Sequence, residues 1–180
     1  MSLEIKNLSQ IIKNNFHEII IERTFSKGDI LQRDNSFRHN IFIVQSGLLR
    51  SFYFHNGKEV TSLFALENGL IGPGDTILKN KRSKYNIEAV ETSTVQILNY
   101  LELDNYIMGD SKKERLIRHI VQLIYIESVE RLENLIFYSA KERYEHLISY
   151  FPNLNQRVNQ GHIASFLGIT QETLSRIRGK

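Results

Sequence analysis

Between Ser111 and Phe137 the chain runs for about 27 residues without glycine or proline, and Ile117, Val121, Ile124, Ser128, Leu132 and Leu135 recur three or four apart along it. A helix of that length is unusual in a chain of 180 residues. Its apolar stripe extends past what a small neighbouring domain could cover. The distal half is therefore expected to lie against a second copy as a coiled-coil-like pair, with Ser128 the weak point of the seam. The alternative is a helix packed wholly within its own subunit.

The chain beyond the long helix is helical too. Tyr144, Leu147, Ile148 and Phe151 align on one face of a helix over Ser139–Phe151, which Pro152 ends. Asn153–Asn159 is short and polar. Beyond it, Ile163 and Leu167 are four apart, Gly168 breaks the pattern, and Leu174 and Ile177 resume it three apart. Two short helices joined by a tight turn need that spacing, a helix-turn-helix. Ala164 is small where the helices cross, Gly168 can take the left-handed conformation that ends the first, and Thr170 can cap the second.

The exposed face of the second helix would present Gln171, Glu172, Ser175 and Arg176. Gln suits adenine, Glu accepts from the cytosine amino group, and Arg forks onto guanine in a major groove. Thr170, Ser175 and Arg178 would reach phosphates. An ordinary helix pair with a solvated polar face is the plainer alternative.

Before the long helix the texture differs. Leu8, Ile11, Ile12 and Phe16 share one face of a short amphipathic helix over residues 3–16. From Ile19 to about Leu98, β-branched and aromatic runs alternate with turns at Ser26–Asp29, Ser46–Gly47, Asn56–Gly57, Asn68–Gly69 and the glycine-rich break Gly72–Asp75. Strands are expected at 41–44, 48–54, 60–66, 87–90 and 94–98, in a sandwich or jelly-roll barrel. Asn99 and Glu102 have capping-box spacing, where helix begins.

Composition removes whole classes of function. With no cysteine there is no disulfide, thiolate zinc site, cysteine nucleophile or cysteine-held cluster. The six histidines are scattered without metal-ligand spacing, and neither GxSxG nor a phosphate-cradling loop occurs, so no metal site and no enzyme are expected. No run is apolar enough to span a bilayer, and residues 1–6 do not read as a signal peptide, which makes the cytoplasm the expected location. The net charge is +3, and residues 139–180 carry all of it, with Lys141, Arg143, Arg157, Arg176, Arg178 and Lys180 against Glu142, Glu145 and Glu172. A basic end bearing a helix-turn-helix suits a polyanionic partner.

In this order of parts the chain resembles the cyclic-AMP receptor and fumarate–nitrate regulator (Crp/Fnr) family of bacterial transcription factors. The resemblance is carried by residues 163–170 and 172–177, with support from Ile43-Val44-Gln45-Ser46-Gly47 and Asn56-Gly57-Lys58-Glu59. It implies an α+β fold: a cyclic-nucleotide-binding-like β-roll sensor over residues 1–110, a dimerisation helix over 111–138 and a winged-helix-like DNA-binding unit over 139–180. It further implies a homodimer on double-stranded DNA, with RNA polymerase among its partners and no membrane.

Family recognition helices begin Arg-Glu with Arg four residues after the Glu; here Gln171, Glu172 and Arg176 fill those slots. The family's wing would have to fit within Asn153–Asn159. In nucleotide-binding members a Gly-Glu-Leu holds the ribose and an Arg-Ser pair the cyclic phosphate. Around Gly72, Pro73 and Gly74, Pro73 takes the Glu slot, while Ser83 and Lys84 take the Arg and Ser slots. Arg82 is one residue out and, in an extended segment, would face away. A cyclic nucleotide is therefore not the expected effector; another small molecule, or none, remains open. The rival reading of the whole chain is a barrel sensor or interaction module that binds a small ligand or a protein partner without sequence-specific DNA binding.

Overall fold

The computed structural model describes residues 7–179. Residues 3–6 of the expected N-terminal helix, and Lys180 of the basic end, lie outside them. Helix α1 (Leu8–Phe16) buries Leu8, Ile12 and Phe16, the amphipathic face expected of it, and a 3-10 turn over His17–Ile19 leads into the sheets.

Eight strands come next: β1 (Ile20–Phe25), β2 (Ile30–Gln32), β3 (Asn40–Ser46), β4 (Leu49–His55), β5 (Lys58–Ala65), β6 (Leu70–Ile71), β7 (Asn86–Ala89) and β8 (Ser93–Asn99). They pair antiparallel in two four-stranded sheets, ordered β1-β8-β3-β6 and β2-β7-β4-β5. The β4–β5 hairpin turns at Asn56 and Gly57, with φ of 50° and 75°, the pair of positive values a two-residue hairpin turn requires. Within the glycine-rich break sits one feature that no sequence pattern announces, a short helix α2 (Gly74–Lys79).

Alternation along the strands sorts the apolar residues into layers. Phe42, Val44, Leu49, Ile87 and Val95 fill the space between the sheets. On the outer face of the first sheet, Ile43 and Leu98 pack under α1, helix α3 (Tyr100–Ile107) and the start of helix α4 (Ser111–Phe137). Asn99 caps α3 by accepting from Leu101 and Glu102 N–H. The reciprocal capping box is instead at Ser139 and Glu142, opening helix α5 (Ala140–Tyr150).

Helix α4 has the expected bounds but buries only Ile120 fully. Ile117 turns in toward α1 and α3, whereas Val121, Ile124, Tyr125, Leu132, Leu135, Ile136 and Phe137 are exposed. The outward stripe thus begins one turn later than the sequence spacing implies. Ser128 lies on the same exposed length and returns its hydroxyl to the Ile124 carbonyl at 2.7 Å.

The remaining elements are α6 (Leu154–Arg157), α7 (Gln160–Phe166) and α8 (Gln171–Arg178). The 153–159 segment, where a wing would have to fit, is a single helical turn rather than a hairpin. Seven residues with buried Leu154 and Val158 at four-residue spacing favour that turn.

Candidate nucleic-acid interface

Helices α7 and α8 form the helix-turn-helix. Ile163 and Ala164 are buried in α7, Gly168 takes φ 68° at the turn, and the Thr170 hydroxyl accepts the Thr173 N–H at 3.2 Å. Leu174 is fully buried and anchors α8 inward. Gln171, Glu172, Ser175, Arg176 and Arg178 all stand exposed, as does Thr170.

The polar face is ordered by its own contacts. Arg176 Nη2 donates to Thr173 Oγ1 at 3.3 Å, which steadies its long side chain. The Glu172 carboxyl is held below the usual carboxylate range, first by its own backbone N–H in the opening turn and then by the Thr170 hydroxyl. An ionised Glu172 is an acceptor, the form that could take a cytosine amino hydrogen.

The interface is not carried by a free-standing helical unit. Leu48, Phe64 and Leu66 from the roll share one core with Leu147, Leu154, Val158, Ile163, Leu167 and Leu174. Phe64 and Phe166 rings lie 5.2 Å apart. The Ser165 hydroxyl accepts the Thr61 N–H at 2.9 Å and donates to the Glu59 carbonyl at 3.3 Å, tying α7 to β5.

Two charge clusters sit in that joint. Arg50, 2% exposed, donates to Glu88 at 2.7 Å and Glu59 at 2.8 Å and lies over the Phe52 ring. A buried guanidinium needs such partners, because an unpaired one would be costly. His162 of α7 is close by; burial pushes its imidazole below the usual value and Arg50 adds to this, with Glu88 and Glu59 opposing. Arg157 forms the second cluster, bonded to Glu67 at 2.7 Å and to Glu91 at 2.6 Å. Burial raises the Glu67 carboxyl, but the Arg157 guanidinium together with the backbone N–H groups of Glu67 and Gly47 outweighs it and the net direction is down.

These partners correct the reading of the basic end. Arg157 is spent on the roll, and Arg143 donates to the carbonyls of Tyr138 and Leu167. Lys141 pairs with Glu145 one turn on. Among the described residues of the C-terminal segment, Arg176 and Arg178 are the cations left facing outward beside the recognition face. No local pattern marks Arg157 as structural, since its partners are 66 and 90 residues away.

The effector slots are brought together but are internally satisfied. Pro73 is buried and supplies no carboxylate; its carbonyl accepts from Thr76 and Ile77. Gly72 and Gly74 flank it, with open space where a Gly74 Cβ would be. The buried Ser83 hydroxyl accepts the Tyr85 N–H at 3.1 Å and donates to the Tyr85 carbonyl at 3.2 Å. The Lys84 N–H is taken by the Asp75 carboxylate at 2.9 Å, and its ammonium lies over the Tyr53 and Tyr85 rings. Arg82 is exposed and donates to the Asn35 carbonyl. A phosphate entering here would face Asp75 without a forked guanidinium.

Comparison with known proteins agrees with this architecture. The cyclic nucleotide-binding domain family matches residues 22–110. The chain is 27% identical over 192 residues to the fumarate and nitrate reduction regulatory protein of Vibrio cholerae, covering 98% of this chain and 72% of that one. It is 28% identical over 179 residues to the regulatory protein HlyX of Actinobacillus pleuropneumoniae, covering 89% and 72%. Its fold matches the structure of FixK2 from Bradyrhizobium japonicum with a TM-score of 0.70 at 18% identity, over 89% of this chain and 83% of that one. A roll of this type, a long exposed helix and an outward helix-turn-helix, together with similarity along most of the chain to such regulatory proteins, make the chain similar to the Crp/Fnr transcription regulators in sequence and in architecture.

Proposed function

We propose that the chain acts in the cytoplasm as a homodimeric transcription regulator that reads double-stranded DNA with α8. Gln171, Glu172 and Arg176 contact base edges, while Thr170, Ser175, Arg178 and backbone N–H groups set the register on phosphates. The observation that carries this reading is the division of α8, with Leu174 fully buried and Gln171, Glu172 and Arg176 all exposed. Pairing of two chains along Val121, Ser128, Leu132 and Leu135 would set the spacing of the two recognition helices and hence of the half-sites. RNA polymerase is the protein partner such a regulator would meet on DNA.

Cyclic nucleotide has no part in this reading. Pro73 in place of a carboxylate, the self-bonded Ser83 and the Asp75 carboxylate at the Lys84 amide support that view. The test is selection of bound duplexes from a random pool by the full chain, with and without added cyclic AMP. One enriched, near-palindromic sequence, unchanged by the nucleotide, is expected. No enrichment, together with no salt-sensitive binding by folded protein, would overturn the DNA reading.

A further inference from the structure

A groove of about 410 Å³ runs along the joint where α4, α5 and α7 meet the segment from β5 to β6. Its walls are largely apolar, with Leu66, Leu70, Leu123, Leu147, Phe151 and Phe166 among them. The volume falls in the range of small-molecule sites, and sites of that kind combine apolar walls with a few convergent polar groups.

Such groups converge at the α7 end. Arg131 of α4 lies over the Phe166 ring, its Cζ 4.2 Å from the centroid. Arg143 of α5 reaches the next residue from the other side, donating Nη2 to the Leu167 carbonyl at 3.0 Å. The Arg143 Nε is buried with no acceptor. Arg131 is held by ring stacking, and its guanidinium has no hydrogen-bond acceptor among the described residues. Guanidinium groups from α4 and α5 thus flank Phe166, the last residue of α7, and Leu167 after it, and that of Arg131 retains donors for an anion. An unmet buried donor is costly, and a carboxylate is the planar acceptor that guanidinium geometry matches.

Three carboxylates also line the groove: Glu67, Glu127 and Glu130. Glu67 is committed to Arg157. Glu127, one turn before Arg131, is pushed above the usual carboxylate range by burial, so it is the more readily neutralised when an anion arrives.

We propose that the joint binds a small amphipathic monocarboxylate, its apolar body in the groove and its carboxylate on Arg131, with the charge of Arg143 close by. The walls belong to the roll, the long helix and the helix-turn-helix together, so the occupant bears on how α7 sits against β5. That consequence rests on the DNA-regulator reading; the binding itself does not.

The test is calorimetric titration of the 180-residue chain with decanoate and, separately, with decanol. One site per chain is expected, with decanoate at least tenfold tighter than decanol. Arg131→Gln should bring decanoate down to the decanol level, and Arg131→Lys should recover part of the difference. Equal affinity of the wild-type chain for the two probes, no saturable binding, or an unchanged affinity in Arg131→Gln would overturn the proposal. Binding confined to a monomeric Val121→Glu/Leu132→Glu variant would also overturn it, because the partner copy would then fill the groove. DNA affinity is measured on the same samples: a decanoate site without an effect on DNA keeps the site and removes only its regulatory consequence.

Discussion

Arg157 and Glu91 are 66 residues apart in the chain and meet at 2.6 Å, the Arg157 guanidinium reaching from α6 to the turn between β7 and β8. The same guanidinium grips Glu67, so one side chain pins the helical end of the molecule to two loops of the roll. Replacing it with glutamine leaves two part-buried carboxylates facing a neutral amide. Arg157→Gln should lower stability by about 1–3 kcal/mol, between the values for exposed and buried pairs. Denaturant unfolding measures the loss, and faster amide exchange in α7 locates it. Unchanged unfolding and exchange would refute the pinning role.

At the recognition face, Arg176→Ala should cost about 1–3 kcal/mol of specific binding and relax the preference at one base pair. Gln171→Arg should move the preference at its own position from adenine toward guanine. Both are measured by binding to the selected sequence and its single-base variants. An Arg176→Ala protein that bound as tightly as wild type would reassign the face.

Pairing along α4 is tested by charge. Val121→Glu with Leu132→Glu places carboxylates on the exposed stripe and should give monomers in sedimentation experiments. Ser128→Leu should act in the opposite sense and lower the dissociation constant. Persistence of the dimer in the double glutamate variant would place the interface elsewhere.

His162 gives the joint a pH dependence of definite sign. Its folded value is pushed below the ordinary 6.5, so the unfolded chain takes up the proton first. Its contribution is complete above pH 6.5 and is lost as pH falls below 6.5 toward the lower folded value. Glu67 acts in a separate window, below its ordinary 4.5. His162→Gln should flatten the stability profile just below pH 6.5 without altering the fall in stronger acid. Equal slopes in variant and wild type would remove His162 as the source.

Much of this molecule is written locally. The long helix falls where an unbroken run and an Asp110 cap put it, and the β4–β5 turn and the start of α8 come from Asn56–Gly57 and Thr170. Each is decided within a few residues, by conformational preference or by one side chain meeting a nearby N–H. The two-residue β6 and the short α2 are too brief to generate a period, and both depend on neighbours for their form. Ile117 has the spacing of the outward stripe yet faces inward, because spacing along a helix does not say which face the rest of the chain covers. The buried Arg50 cluster and the Arg157 bonds are illegible in the sequence for a related reason: acid and base meet across strands and loops, and nothing near either one in the chain signals the pairing.

The core that joins Phe64 and Leu48 to Leu174 bears on portability. Residues 139–179 cannot be lifted out as a ready-made DNA-reading cassette, because a wall of their interior belongs to the roll. Grafted elsewhere, the segment would expose Leu154 and Ile163 and lose its packing. Inheritance would also be tied: a change at Phe64, far from any base, would register in the organism as a defect in reading DNA.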